Sequence, residues 1–452
     1  MNPIVYAIPV FFLLMAVEMW VARARGRRAY RMGDTIGSVG LGVYSQLTGL
    51  YARLLSFGLY VLVYESLRLF ELPSTAWWVW VGALLLYDFL YYWHHRAGHE
   101  IALFWAAHVV HHQSEDYNLG TALRQTSSGF LVGWVFYLPM ALLGVPPLVF
   151  AVVALIDLLY QYWIHTEQIG RLGWFDRVFA SPSNHRVHHA VNDRYLDRNY
   201  GGIFILWDRC FGTFAEERDD DLPVYGTRKP LRSFDPVWAN LETYLDLVGA
   251  SWRARGGLWA RLRPWFKPPG WRADGVQPAF RLPTPEQRFD PPLTRAATIY
   301  AGLCFAVVVV VATCILARFT GNAADHAQVL WVLALLWALS RWCQAPARLR
   351  VALALVWCVP GLAWVGLPGW LPVPSDAALL TGVLLGICVL GAIGAVRAAP
   401  WPMGPASPRS EPATMPAIEA SSDSRQAAAE PERSQAVQGE VQQVALDKRL
   451  CS

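Results

Sequence analysis

Long apolar runs are the feature that most constrains what this chain can fold into. Several of them reach the roughly 20 residues that an α-helix needs to cross the hydrocarbon core of a bilayer. Of the 452 residues, 54% are hydrophobic and only 16% are charged, whereas about a quarter of a water-soluble protein is charged. We therefore predict an all-α, polytopic integral membrane protein. The apolar runs occupy residues 3–21, 41–70, 77–93, 129–164, 297–317, 328–343, 351–371 and 377–396.

The charge and the cysteines argue against other classes of protein. The 38 basic and 34 acidic residues leave a net charge of +4, which is too small to indicate a nucleic-acid-binding protein. The seven cysteines are scattered and none forms a Cys-x-x-Cys pair. Neither a disulfide framework nor a zinc ribbon is therefore indicated.

Arginines give the predicted orientation of the spans. Five of them follow the first apolar run, between Arg23 and Arg31. Because basic residues favour the cytoplasmic side of a membrane, we expect the first span to end in the cytoplasm. Two further spans return the chain to that side at His94, so the histidine-rich segments are expected to face the cytoplasm. This pattern suits a bacterial inner membrane and the endoplasmic reticulum equally well.

The apolar and polar stretches divide the chain into four predicted parts. The last stretch consists mostly of Ala, Ser, Pro, Glu and Gln without periodicity, which is typical of a disordered tail. The parts are N-terminal membrane spans (1–76), a histidine-rich cytoplasmic-facing helical domain (77–296), a four-span membrane region (297–397) and the tail (398–452).

Two features are expected inside the histidine-rich domain. Gly144 and Pro146 interrupt the middle of the apolar run 129–164, which predicts a helical hairpin that enters and leaves the membrane on one side. Apolar residues at helical spacing predict a helix over 237–263. That helix either lies on the membrane surface or packs against a core, and the spacing alone does not separate the two.

Ten of the eleven histidines lie between residues 94 and 189, and eight of them form three clusters. Side chains three and four positions apart share one face of a helix, so each cluster can direct two or three imidazoles at one point. Neutral imidazole is a good ligand for iron, copper, zinc and nickel. Eight imidazoles exceed the needs of one metal ion and suffice for two with open positions. The clusters are His95 and His99; His108, His111 and His112; and His185, His188 and His189.

Two carboxylate-containing metal motifs are absent from the sequence. Soluble di-iron carboxylate enzymes use Glu-x-x-His pairs, and one large class of metalloproteases uses His-Glu-x-x-His. The sequence contains neither. The predicted metal site is therefore dominated by histidine.

Several motifs resemble the membrane fatty acid hydroxylase/sterol desaturase superfamily. They are His-Arg-x-x-His from His95, followed by His-x-x-His-His from His108 and again from His185. The run HHQSEDYNLGTALRQ, from His111 to Gln125, is similar to one branch, the alkylglycerol monooxygenases. The resemblance covers roughly residues 30–290. It implies a non-haem centre of two iron ions that uses O2, held by the eight clustered histidines.

The resemblance also bears on the two remaining histidines of this region. His165, in a Trp-Ile-His-Thr context shared with the branch, is a candidate ninth ligand; the alternative is a residue that packs beside a ligand or hydrogen-bonds to it. The family places its ligand directly before Arg, which is His95. His94 points about 100° away from His95 on a helix, so we leave it out.

Four polar residues are expected to hold the ligand imidazoles by hydrogen bonds. Metal-bound imidazoles usually donate their other N–H to a carboxylate or a carbonyl. Asp88 lies two helical turns before His95, and Asp157 begins an i, i+4, i+8 series that ends at His165. The alternative for each is a position in water. The four residues are Asp88, Asp157, Glu100 and Asn184.

The resemblance implies a monooxygenase that uses O2 to hydroxylate a C–H bond of a lipid from the bilayer. In the alkylglycerol branch the carbon adjoins the ether oxygen, and tetrahydrobiopterin is the reductant. No glycine-rich dinucleotide fingerprint follows a predicted strand, so a separate electron donor is expected. Two alternatives stay open: a sterol, carotenoid or fatty-acyl hydroxylase or desaturase with the same centre, and a membrane metal transporter.

Overall fold

A computed structural model describes residues 3–275 and 279–346 of the chain. The predicted spans over 351–371 and 377–396 and the predicted tail over 398–452 lie outside the described residues. The predictions for those segments therefore stay predictions.

The described residues are α-helical and contain no β-strand, as predicted. Three short 3-10 segments occur at Gly129–Leu131, Gly133–Tyr137 and Pro285–Gln287. The α-helices are α1 (Ile4–Ala24), α2 (Met32–Leu67), α3 (Trp77–Glu100), α4 (Ala102–His112), α5 (Leu119–Ala122), α6 (Leu138–Leu142), α7 (Pro147–Trp163), α8 (Phe175–Val178), α9 (Pro182–His188), α10 (Leu206–Cys210), α11 (Pro236–Arg253), α12 (Leu258–Phe266), α13 (Arg295–Arg318) and α14 (Ala323–Gln344).

Three of the described helices, α1, α13 and α14, are long and apolar enough to cross a membrane. Helix α2 adds a fourth if its two halves, which meet at an angle of 42° between Ala52 and Leu55, form one span. These helices confirm the prediction of an α-helical integral membrane protein. Helix α3 is not among them, because its apolar segment is rich in Trp and Tyr and is less hydropathic than the Val- and Leu-rich spans.

The helices pack through two apolar clusters. One joins α2 to α13 and α14 through buried residues such as Ile36, Val308 and Leu336. The other joins α2, α3, α6 and α7 around Tyr60 and Val149. Inside a bilayer such contacts stabilise the helix bundle mainly through van der Waals packing. These contacts fix the helix ends from which the histidines project.

The predicted hairpin over 129–164 has its turn at the expected place, but its two arms differ. Gly144 has a positive φ of 84°, and Pro147 begins α7. The first arm is not a continuous helix; it consists of two 3-10 segments and the short helix α6. Gly133 lies in this arm next to His94. A Cβ at this position would come within 2.9 Å of the Nε2 atom of the imidazole. A close approach of this kind needs glycine, which weakens a helix.

The single helix predicted over 237–263 is two helices, α11 and α12, with a break between them. Gly256 has a φ of 126°, a conformation that residues with a Cβ rarely adopt, so the helix cannot continue. The apolar stripe of α11 is exposed in the part of the chain that the structure describes, and Trp252 is 85% exposed. This exposure favours the membrane-surface interpretation over a core-facing one. At the end of α12, the Lys267 carbonyl accepts a hydrogen bond of 2.9 Å from the N–H of Ala102, the first residue of α4.

We expect the change Gly144→Ala to lower the free energy of unfolding by roughly 1–3 kcal/mol, the cost of holding a side chain in left-handed backbone. The added Cβ would also lie 1.9 Å from the Phe70 carbonyl oxygen. The measurement is thermal or denaturant unfolding in detergent. The control is Gly82→Ala, on an open face of α3 with no atom within 4 Å, which should leave stability unchanged or slightly higher. Equal effects of the two changes would contradict the expectation.

Candidate metal centre

Nine histidines lie together in two groups. Within each group, one ring nitrogen from every residue lies within 4.8 Å of the others. All nine sequence candidates are present, including His165. The five-histidine group is His95, His99, His108, His112 and His188, and the four-histidine group is His111, His165, His185 and His189.

Helical spacing divides the histidines between the two groups. On α4, His108 and His112 are one turn apart and enter the five-histidine group, whereas His111 enters the other. On α9 and its C-cap, His185 and His189 are one turn apart and enter the four-histidine group, whereas His188 enters the five-histidine group. These two segments therefore serve both groups. Helix α3 supplies the first group only. His165, two residues past the end of α7, supplies the second only.

The outward ring nitrogen of four of these histidines donates to a backbone carbonyl. The Nδ1 atoms of His95 and His111 lie 2.8 and 2.9 Å from the carbonyls of Tyr200 and Arg124. Since the acceptor is a carbonyl, Nδ1 carries the proton, and a neutral imidazole then has a lone pair at Nε2 directed inward. The other two pairs are His165 with Gln161, at 2.7 Å, and His188 with Arg198, at 3.0 Å.

The inward nitrogens then face one another at short range. The Nε2 atoms of His111 and His165 are 3.1 Å apart, and each of these residues already uses Nδ1 as a donor. Two lone pairs at this distance repel unless a cation or a proton lies between them. The further Nε2 pairs are His95–His108, His108–His112 and His165–His185 at 3.0 Å, and His185–His189 at 3.2 Å.

This arrangement fits bound metal ions. Two imidazole nitrogens, each about 2.1 Å from one metal and at a right angle to each other, are about 3.0 Å apart. The Nε2 atoms of His99 and His188 are buried without a hydrogen-bond partner, and a metal would satisfy both. An all-imidazole donor set suits iron, copper, zinc or nickel. The two groups of histidines are therefore suited to hold metal ions.

Burial keeps the imidazoles of His111, His185 and His189 neutral, which is the form that binds metal. Removal from water lowers the pKa of His111 to about 4. It lowers the pKa of His185 and His189 well below the usual value, and the neighbouring imidazoles add to the effect. The site is thus preset for a cation at neutral pH.

A loop with left-handed backbone carries two of the carbonyl acceptors. Asp197 and Asn199 have φ values of 57° and 58°, a region in which Asp and Asn are enriched among residues other than glycine. The Asn199 side chain fixes this turn, because its amide donates to the carbonyls of Asn184 and Ala215 at 3.0 and 2.8 Å. The carbonyls that hold His188 and His95 belong to the residues that follow, Arg198 and Tyr200.

Asp88 acts through the backbone rather than by the direct bond to an imidazole that its spacing predicted. Its carboxylate accepts from the N–H groups of Ile203 and Phe204, at 2.6 and 3.2 Å, and from the Trp207 indole at 2.7 Å. The segment from residue 199 to 204 lies between Asp88 and the ligands, so the carboxylate reaches this segment first. It thereby anchors the loop whose Tyr200 carbonyl holds His95.

Asp157 likewise reaches a ligand through another residue. It accepts a hydrogen bond of 2.7 Å from the Gln161 amide, and the Gln161 backbone carbonyl holds His165. The amide oxygen of Gln161 in turn accepts from the Tyr91 hydroxyl at 2.7 Å. The predicted i, i+4, i+8 series is therefore a connected chain, with Gln161 rather than Asp157 next to the imidazole.

The remaining two predicted polar residues take other roles. Glu100 forms an ion pair of 2.8 Å with Arg96, one turn back on α3, and is partly exposed. Asn184 is buried, and its amide donates to the carbonyls of Asp176 and Phe179 at 3.0 and 3.2 Å. These bonds fix the start of α9, the helix that carries His185 and His188.

Two histidines lie outside both groups: His94, which the motifs left out, and His326. His94 has its Nδ1 3.3 Å from the Tyr137 hydroxyl, on a different face of α3 from His95. His326 pairs with Tyr51 at 2.9 Å. The exclusion of these two residues is consistent with the reading of the motifs, while metal ligation by the nine stays a prediction.

Arg124 is a contributor that the sequence did not single out. Its side chain is 2% exposed, and its guanidinium donates to the Val110 carbonyl at 2.6 Å and to Gln113 at 3.2 Å. These bonds tie it to the end of α4, while its own carbonyl holds His111. Only its place in the Thr-Ala-Leu-Arg-Gln run could have indicated this role.

A cavity of about 290 Å³ opens onto both histidine groups. His95 and His108 reach it from the first group, and His111 and His165 from the second. Its remaining walls are mostly apolar and come from several helices. They include Ile8 and Phe11 of α1, Val39 and Val43 of α2, Leu158 of α7, and Val309, Ala312, Thr313 and Leu316 of α13. The polar side chains among them include Tyr91, His94, Asp157 and Gln161.

Comparison with known proteins agrees with this site. The fatty acid hydroxylase family model matches residues 80–213, which contain every one of the nine histidines. The match thus covers the segment of the chain that carries the candidate site. No solved structure matches the chain.

Proteins similar to this chain include alkylglycerol monooxygenases. The human protein is 41% identical over 268 residues, 59% of each chain. That of Caenorhabditis elegans is 33% identical over 324 residues, 67% of this chain and 64% of its own. An ornithine lipid hydroxylase of Rhizobium tropici is 32% identical over 140 residues, 30% of this chain and 41% of its own. The matched part of the chain thus spans about three fifths of the alkylglycerol monooxygenases.

We expect each histidine group to hold its own share of the metal. His99→Ala with His188→Ala removes two ligands of the first group, and His165→Ala with His189→Ala removes two of the second. Each pair should lower the metal content by about half, and all four changes together should abolish it. Elemental analysis of protein purified in detergent without chelators is the measurement. His326→Ala, outside both groups, should change nothing. Unaltered metal in both paired variants would exclude these residues as the metal site.

The metal-free protein should lose stability as the pH falls from about 6.5 towards 4. The pKa of His111 is lower in the folded chain than the usual 6.5 or so, at about 4. Between these values the unfolded chain binds protons that the folded chain does not, so acid favours unfolding. The measurement is the unfolding temperature after chelation, across this pH range. A flat profile would contradict the expectation, and His326→Ala should retain the wild-type slope.

Proposed function

We propose that this protein is a membrane-bound, non-haem di-iron monooxygenase that uses O2 to hydroxylate a C–H bond of a lipid. Iron is the metal in this proposal because the relatives are oxygenases by name and because imidazole is a good ligand for it. We place the histidine groups at the cytoplasmic ends of the spans, on the basis of the arginines that follow α1. The membrane is a bacterial inner membrane or that of the endoplasmic reticulum.

The observation that carries the proposal is the cavity. Ligands of both histidine groups, among them His108 and His111, line the same space as apolar side chains of α1, α2 and α13. An alkyl chain in this space would lie against ring nitrogens of both groups. Sites for small ligands are commonly apolar clefts with a few placed polar groups, and this one fits a lipid better than a metal in transit.

Two iron ions held by the nine imidazoles would supply the activation of O2, which the protein's own side chains cannot perform. The chain's residues would do the rest. The carbonyls of Tyr200, Arg124 and Gln161 hold His95, His111 and His165 in one tautomer. The apolar walls would position the alkyl chain and keep water away from the reacting carbon.

The substrate that we favour is an alkylglycerol, hydroxylated at the carbon beside the ether oxygen. Its name appears in several of the most similar relatives. Tyr91, His94 and Gln161 line the cavity and offer hydrogen bonds to an ether or hydroxyl group at the polar end. We propose tetrahydrobiopterin, a separate donor, as the source of electrons. A sterol, carotenoid or fatty-acyl hydroxylase or desaturase would use the same centre.

The test is oxidation of defined lipids by the reconstituted, iron-loaded protein with O2 and a tetrahydropterin. We expect aldehyde and glycerol from an alkylglycerol. We also expect His111→Ala to lower the rate at least 100-fold, because the loss of a residue that only orients a metal ligand already costs 10- to 100-fold. The control is His326→Ala. Turnover of a sterol or a fatty-acyl lipid instead would support the alternative, and no oxidation of any lipid by iron-loaded protein would refute the proposal.

A further inference from the structure

The cavity extends beyond the segment that defines the family. Its histidines lie within residues 80–213, but a large part of its apolar wall comes from α1, α2 and α13, which lie outside that range. Helix α13 follows the last of the histidines by more than a hundred positions and carries none of them. A span that is remote in sequence thus borders the metal centre's cavity.

One face of α13 forms this wall. Val309, Ala312 and Leu316 line the cavity together with Thr313, and the spacing of three and four places them on one side of the helix. The Thr313 hydroxyl donates to the Val309 carbonyl at 2.7 Å, so its hydrogen-bonding capacity as a donor is used within the helix. The wall therefore offers an alkyl chain an apolar surface with no unpaired donor among these four side chains.

The small size of the residue at position 312 helps to set the volume of the cavity beside α13. Ala312 is 1% exposed and borders the cavity with only a methyl group. The packed side of the helix has no free volume for a larger side chain, because protein interiors are as dense as organic crystals. A larger side chain at this position would therefore take up cavity volume rather than extend into solvent.

We propose that this face of α13 is the binding surface for the alkyl chain of the lipid and that Ala312 sets which chain lengths are accepted. The inference rests on the proposed function for the identity of the lipid. It goes further by assigning substrate selection to a span outside the family's histidine-bearing segment. Val309 and Leu316, one turn on either side of Ala312, complete the surface.

The first test needs no turnover. A 1-O-alkylglycerol with a diazirine at the end of its chain is photolysed with the reconstituted protein, and the labelled peptides are mapped. We expect label on residues 309–316 that an excess of unlabelled alkylglycerol removes. Label that competitor does not remove, or competed label confined to segments other than α13, would overturn the inference. This outcome is independent of whether the lipid is oxidised.

The second test compares Ala312→Leu with Val310→Leu, a matched change at a position that is 52% exposed and not part of the cavity wall. Binding of radiolabelled alkylglycerols of graded length is measured first, and kcat/KM afterwards. We expect Ala312→Leu to weaken binding of the longest chains at least tenfold relative to the shortest, while Val310→Leu retains the wild-type profile. An unchanged profile in Ala312→Leu would refute the role of this residue even if the lipid is oxidised.

The two tests also separate this inference from the proposed function. Length-dependent binding without oxidation would uphold the surface on α13 and refute the monooxygenase. Oxidation of the lipid, together with an unchanged length profile in Ala312→Leu, would uphold the monooxygenase and refute the surface on α13. If Ala312→Leu does not fold, Leu316→Ala enlarges the same wall, and the inference then requires a shift of preference towards longer or bulkier chains.

Discussion

Repulsion between inward-facing imidazole nitrogens is the interaction on which the rest of this structure depends. His111 and His165 each spend one nitrogen on a backbone carbonyl and bring the other to within 3.1 Å of its counterpart. Nothing in such a pair is favourable by itself, since burial removes water and leaves two lone pairs in contact. The apolar packing of the spans must supply the free energy that holds them there, and a cation turns the same geometry into a strong site.

The two histidine groups are mechanically joined because α4 and α9 each contribute to both. A shift of α4 along its axis would displace His108 and His112 in one group and His111 in the other by the same distance. The hydrogen bond from Ala102 to Lys267 ties the start of α4 to the exposed helix pair α11 and α12. The geometry of the two histidine groups therefore depends on the shared placement of α4, α9, α11 and α12, and the two groups do not form separate pockets.

Much of this site could be predicted from the sequence, because histidine spacing and apolar runs report directly on helix faces. The nine histidines come together, and His94 is excluded for the reason that the helix geometry gave. The assignment of His108 and His111 to different groups was not predictable, since it depends on the crossing of α4 with α9. The spacing of Asp88 and Asp157 suggested direct bonds to the imidazoles, and it could not show that other residues come between. The carbonyl partners were invisible, because every residue carries a carbonyl and only the fold decides which one faces a ring.

The use of carbonyl acceptors has a consequence for how such a site can change over time. At Arg124, Gln161, Arg198 and Tyr200 the atom that orients a ligand belongs to the main chain. Exchange of the side chain at any of these positions leaves that acceptor in place as long as the backbone path is kept. At Arg198, whose side chain bonds only the exposed Gly212 carbonyl among the residues that the structure describes, the residue can therefore change while the orientation of His188 stays the same. The most constrained atoms around the metal ligands are then ones that a comparison of residue identities does not register.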